Sequence, residues 1–264
     1  MSAAKSVEVP NFISLFAESF PDNHTLHTLF RYETVIFSLI SIVVASTVVY
    51  LGTRRLTLIP GKLQNLVEFL FEALFGLISS ILGEKRGRKY FSFLAALFVY
   101  VFMNNMIGLI PLFKSSTGVY TTTLPLAVMV FIYVQWTAFT KMGPAKYMFH
   151  LAGEPRELIQ YILAPFMFCL HLISELARPL TLSLRLFGNV MGEDILLGVF
   201  AGFGIGIMAW AGSYIGLAHP PVGIPLQLPF YFLCLIGGMV QALVFTLLST
   251  IYFSLALPHE EDHH

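Results

Sequence analysis

Apolar positions run along the chain in long blocks, and polar ones fall at the block ends or at helical intervals inside them. Residues 34–52 form the first block, about the length that crosses hydrocarbon, with Arg54 and Arg55 directly after it. Residues 63–83 are equally long, but Asn65, Glu68, Glu72 and Ser79 recur at helical steps on one face, while Leu, Phe and Ile fill the other. Arg54, Arg55 and Lys62 precede this block, and Lys85, Arg86, Arg88 and Lys89 follow it. A spanning helix would carry one basic cluster to each side of a membrane; a helix lying in the interface keeps both on one side. The pattern predicts an interfacial amphipathic helix, against the alternative of a true span holding two carboxylates.

Residues 91–113 and 124–140 read as two further spans joined by a segment with Lys114, a glycine and a threonine run. Residues 157–217 are then almost continuously apolar, with only Pro165 and Pro179 against an unbroken helix. A straight span uses about twenty residues, yet no tight-turn punctuation divides this stretch, and its polar residues lie in the middle. A second long block, 228–257, follows a proline-rich loop and ends in a short polar tail. The predicted fold is an all-α polytopic membrane protein with a single membrane domain over residues 1–264, residues 1–33 forming an outer tail.

Composition sharpens this picture. Of 264 residues, 56% are hydrophobic and 11% charged, against roughly 25% charged in soluble domains. The formal net charge is zero, so nothing suggests nucleic acid as a partner. Ten of the fifteen basic residues (Arg54, Arg55, Lys62, Lys85, Arg86, Arg88, Lys89, Lys141, Lys146 and Arg156) fall on one predicted side. The positive-inside rule makes that side cytoplasmic, with the N-terminus outside and the C-terminus inside. Residues 1–31 carry Glu8, Pro10, Glu18, Pro21 and Asp22 and do not read as a signal peptide, which favours a bacterial plasma membrane over an organelle import route. Cys169 and Cys234 sit in apolar runs without metal spacing and read as packing residues. No cofactor is expected: there is no nucleotide loop, zinc spacing or Ser/His/Asp arrangement.

Charged groups at membrane depth are costly and mark an ion path or a paired structural site. The informative polar residues inside the long block are His171, Glu175, Arg178, Arg185, Asn189, Glu193 and Asp194. At about 100° per residue, the first six line one stripe, and Asp194 falls about 140° from His171. Glu175 and Arg178, three apart, pair directly and serve either as structural glue or as part of a path. Arg185 has no acid three or four residues away, so its partner comes from another helix or another subunit. Asn104 and Asn105 lie in the middle of a span, where capping, interhelical hydrogen bonds or a channel role are all open. Gly198, Gly202, Gly204 and Gly206, with Gly237 and Gly238, suggest close helix packing.

ARPLTLSLRLFGNVMGEDILL, residues 177–197, closely resembles the signature of subunit a of rotary ATP synthases. VQALVFTLLSTIYFSLA, 240–256, and FMNNMIGLIP, 102–111, are similar to that family's last helix and its N-x-x-G-L-(I/L)-P segment. The resemblance implies five spanning segments and one interfacial helix, the last two spans long and strongly tilted against a rotating ring of c subunits. It implies proton translocation coupled to ATP synthesis, with peripheral-stalk b subunits and the lipid membrane as further partners and no catalytic site of the chain's own. The family's essential arginine falls on Arg185, between two aqueous half-channels, with Asn189, Asp194 and Gln241 at other family positions. The helical stripe points instead to Glu193 as the outer acid. Where some members carry His or Glu on the last helix this chain has Cys234, and His171, followed by Glu175, stands where some have an acid on the inner half-channel. The competing class is a secondary transporter with an intramembrane arginine site; such proteins usually show internal repeats, and none is visible. An intramembrane enzyme using His171 and Glu175 would lack a second metal-ligand cluster.

Overall fold

The computed structural model describes residues 32–54, 57, 60–143, 147–149, 153, 158–215 and 225–257. Residues 1–31 of the predicted outer tail, Arg55, Lys146, Arg156, the loop histidine His219 and the polar segment 258–264 lie outside the described residues. Among those described there are six α-helices and one 3-10 turn. They are α1 (Glu33–Thr53), α2 (Lys62–Leu82), α3 (Glu84–Gly108), the 3-10 turn (Ser116–Gly118), α4 (Tyr120–Met142), α5 (Leu158–Ile215) and α6 (Leu228–Ala256). Each α-helix is long and apolar enough to cross a membrane, α2 included. The chain is an all-α polytopic membrane protein.

Helix α3 differs from the hydropathy pattern at both ends. It begins at Glu84 rather than near residue 91, so the cluster Lys85, Arg86, Arg88 and Lys89 forms its first turns. Glu84 favours a helix N-terminus through the dipole and accepts a bond from Arg88 at 2.8 Å, four residues on. The helix ends at Gly108 because Pro111 lies just beyond and cannot continue it. Between α2 and α3 the chain reverses at Gly83, whose φ of 78° is open to glycine at little cost.

The helices contribute to two compact units. The first draws on Met1–Arg55, Phe98–Thr122 and Leu186–Leu243. In it Phe37 meets Phe113 at 5.9 Å, the Ser38 and Tyr100 hydroxyls bond at 2.8 Å, and Phe200 stacks on Phe230 at 3.9 Å. Lys114 pairs with Glu33 at 3.3 Å. The second draws on Leu56–Leu97, Thr123–Arg185 and Val244–His264. Its centre is an aromatic stack of Tyr90 on Phe253, flanked by Phe93 and Tyr133, with Phe245 fully buried nearby in sequence. Ser249 and Thr250 return their hydroxyls to carbonyls of their own helix. Small and hydroxylated side chains suit such packing, because lipid supplies no hydrophobic drive between helices.

Helix α2 has three faces. Gln64, Val67, Leu74, Ile78 and Leu82 are buried. Asn65, Glu68 and Glu72 are exposed, on a stripe about 110° round the helix. Leu63, Leu66, Phe69 and Leu77 are exposed apolar residues on the third.

Candidate functional site

Helix α5 keeps its register through 58 residues, so spacing in the sequence becomes position on a face. Buried Leu182, Leu186 and Val190 mark the packed side. On the other side Thr181, Leu184, Arg185, Gly188 and Met191 are exposed.

The inner group belongs to the second unit. Arg178 and Glu175 form an ion pair, Nη1 to Oε1 at 2.6 Å, with side chains 21% and 16% exposed. The pair is close but not aligned as a hydrogen bond. The other carboxylate oxygen of Glu175 accepts from Gln135 Nε2 at 2.9 Å. Gln135 in turn accepts from the Tyr147 hydroxyl. Burial first, and the Glu175 carboxylate second, raise the Tyr147 hydroxyl above the ordinary tyrosine value, so it remains a donor. The Arg178 guanidinium lies 5.4 Å from the centre of the Tyr252 ring, within cation–π range. Glu175, Arg178 and Tyr252 edge a small cleft whose other walls include Val130, Val134 and Leu182. His171 is exposed, with Nδ1 3.0 Å from the Met167 carbonyl one turn back.

Arg185 stands apart from this group. Its side chain is exposed, and among the described residues it makes no ion pair or hydrogen bond. A guanidinium stays protonated at any accessible pH, so it offers a fixed positive charge.

The outer group belongs to the first unit. Asn189 donates from Nδ2 to Glu193 Oε1 at 2.7 Å, one turn along α5. That same oxygen lies 2.8 Å from where a Cβ on Gly237 of α6 would stand. Asp194 leaves the helix in another direction, and its Oδ2 lies 3.2 Å from where a Cβ on Gly118 would stand. Beside these acids Asn105 donates to the Gly238 carbonyl at 2.9 Å and accepts from Thr117 at 3.0 Å. Asn104 accepts from Ser116 at 2.5 Å. Gln241 is buried, and its Nε2 has no hydrogen-bond partner among the described residues. Cys234 is buried on α6.

The helical stripe thus brings Asn189 to Glu193 and Glu175 to Arg178, and it sends Asp194 elsewhere. Asn104 and Asn105 make the hydrogen bonds between segments that their position allowed. The glycine expectation needs correction: Gly202 and Gly206 face open space, whereas Gly237 and Gly238 abut Glu193 and Asn105. Gln135, Tyr147, Tyr252 and the Ser115–Gly118 turn escaped the sequence reading. Gln135, a lone amide inside an apolar span, was the one visible signal among them. Among the described residues no cluster of His, Cys, Asp and Glu could hold a metal ion.

Long apolar helices bearing partly buried ion pairs and carboxylates define a multi-pass membrane protein. A profile of the family "ATP synthase A chain" matches residues 35–254. The chain is 44% identical over 255 residues to ATP synthase subunit a of Protochlamydia amoebophila (strain UWE25), covering 97% of this chain and 91% of that one. It is 34% identical over 247 residues to ATP synthase subunit a of Helicobacter pylori (strain Shi470), covering 94% and 96%. The chain belongs to the ATP synthase A chain family.

Proposed function

We propose that this chain is the proton-translocating stator subunit of a rotary ATP synthase, with Arg185 as the gate between two aqueous half-channels. The observation that carries the reading is the isolation of Arg185. It is an exposed permanent cation in the middle of a 58-residue apolar helix, and such a charge requires a partner outside the described chain. A carboxylate on a passing c subunit supplies one. Facing Arg185, that carboxylate is stabilised in its ionised form and releases its proton. The fixed charge also blocks direct proton flow, so a proton crosses only by riding the ring.

Glu193 and Asp194, with Asn189 and Gln241, belong to the outer half-channel; His171 and Glu175 belong to the inner one. Helix α5 would be about 87 Å long at 1.5 Å per residue, far more than a bilayer's apolar thickness of about 30 Å. Strong tilt of α5 and α6 accommodates that length. The exposed carboxylates of α2, opposed by exposed leucines and a phenylalanine, support an interfacial position for it and five spans in all. The chain works beside the c ring and peripheral-stalk b subunits in a bacterial plasma membrane, N-terminus outside and C-terminus in the cytoplasm; nucleotide chemistry falls to other subunits. Family membership supports this reading over a secondary transporter. Affinity purification of the tagged chain in mild detergent tests it: a ring of c subunits should copurify, and a preparation that retains the peripheral stalk but never a ring would refute it.

A further inference from the structure

Two acids adjacent in sequence are sorted to two different neighbours, and each neighbour is a glycine. Glu193 Oε1 occupies the space a Gly237 Cβ would need, at 2.8 Å, and Asp194 Oδ2 approaches that of Gly118 at 3.2 Å. Separations under about 3 Å are closer than packed carbon and oxygen tolerate, so a side chain at residue 237 would drive the Glu193 carboxylate out of place. One buried amide adjoins both glycines. Asn105 grips the carbonyl of Gly238 with its donor and the hydroxyl of Thr117 with its acceptor. Those are the residues next to Gly237 and Gly118. Asn105 is 4% exposed, and its Cβ lies 3.1 Å from where a Gly238 Cβ would stand, so it packs directly against the glycine backbone of α6.

We propose that Gly237 and Gly118 are seats for the Glu193 and Asp194 carboxylates, and that Asn105 is the positioning residue that holds both seats. The proposal rests on the reading of these acids as the outer relay. Asn189 then holds Glu193 from its own helix while Gly237 receives it from α6. A bare Cα leaves the carboxylate close to α6 without a side chain between them, and a misplaced relay atom slows proton transfer steeply.

The test uses ATP-driven proton pumping by the intact complex in inverted vesicles, with assembly checked by subunit content. Gly237→Ala should slow pumping about tenfold, within the range by which small misplacements act on rates. Adding Glu193→Asp shortens the acid by one methylene and withdraws it from the new methyl. The double variant should therefore pump several times faster than Gly237→Ala alone. A glycine needed only for helix packing would show no such rescue. Asn105→Ala should slow pumping to a similar degree with assembly retained. Normal pumping by Gly237→Ala overturns the seat, and so does a defect in rate or assembly that Glu193→Asp leaves unimproved. Normal pumping by Asn105→Ala overturns the clamp. If Glu193→Ala and Asp194→Ala both pump normally, the relay reading itself is wrong; if they are slow while rescue fails, only the seats are.

Discussion

Arg178 and Arg185 lie seven residues apart on one helix, and the structure assigns them opposite sensitivities. Truncating Arg178 to Ala leaves the Glu175 carboxylate, 16% exposed, with Gln135 as its remaining side-chain partner. Breaking a fully buried pair costs about 3–5 kcal/mol, and the partial exposure of this pair lowers that figure. Loss of the Tyr252 cation–π contact adds about 0.5–1 kcal/mol. Halving the pair's range for that exposure, to about 1.5–2.5 kcal/mol, and adding the ring contact gives a total near 2–3.5 kcal/mol. Arg185→Ala removes an exposed side chain with no partner among the described residues, so its stability effect should lie within about 0.5 kcal/mol. The functional order is reversed. Arg185→Lys keeps the charge, but an ammonium loses its proton far more readily in a poorly solvated site, so ATP synthesis driven by a proton gradient should disappear. Arg178→Lys should be milder. The assays are thermal dissociation of the purified complex, followed by subunit release, and gradient-driven ATP synthesis in vesicles. Arg178→Ala should lower the dissociation temperature by more than Arg185→Ala does, while Arg185→Lys abolishes synthesis. Normal synthesis by Arg185→Lys, or equal destabilisation by both Ala variants, would refute the reasoning.

Three further outcomes are expected. Glu193→Gln and Asp194→Asn should each slow ATP-driven pumping and the double change should nearly stop it; one silent single, with the double equal to the other single, would leave one acid as the relay. A cysteine at Lys85, an exposed site, should resist impermeant reagents on intact cells, and labelling from outside would overturn the topology; Gly87 is unsuitable because an added Cβ would lie 3.2 Å from the Ser79 backbone. Tyr147→Phe removes the donor that fixes Gln135 and should reduce complex stability by about 1 kcal/mol, the net worth of one hydrogen bond, measured by the same dissociation assay.

How far the chain could be read in advance depended on the range of the interaction. Apolar block length placed the helices, because it reflects only the solvent around each segment. The 3.6-residue period predicted the Glu175–Arg178 pair and set Asn189 and Glu193 on one stripe, because both are relations within one helix. It also turned Asp194 away from Glu193. Contacts between segments were invisible: nothing local relates Gln135 to Glu175, Tyr252 to Arg178, or Asn105 to both Thr117 and Gly238. Helix ends were partly misjudged for an electrostatic reason. The basic run at Lys85–Lys89 falls outside the apolar block that sets the predicted span, yet with Glu84 at its head it forms the opening turns of α3. The glycines were read as a helix-packing stripe because sequence shows only the missing side chain, not which neighbour uses the space.

The unbroken register of α5 has a consequence for changes in length. Every functional group assigned to it, from His171 to Asp194, takes its direction from one continuous helical register, and no loop among them can absorb an extra residue. Inserting or deleting a single residue between Arg185 and Glu193 would turn everything beyond it by about 100° and slide it about 1.5 Å. Glu193 would swing off Gly237, and Asp194 off Gly118, although every side chain was still present. The helix therefore stores the order of the proton path as an angle as well as a sequence, which makes its length a stricter requirement than most of its individual side chains.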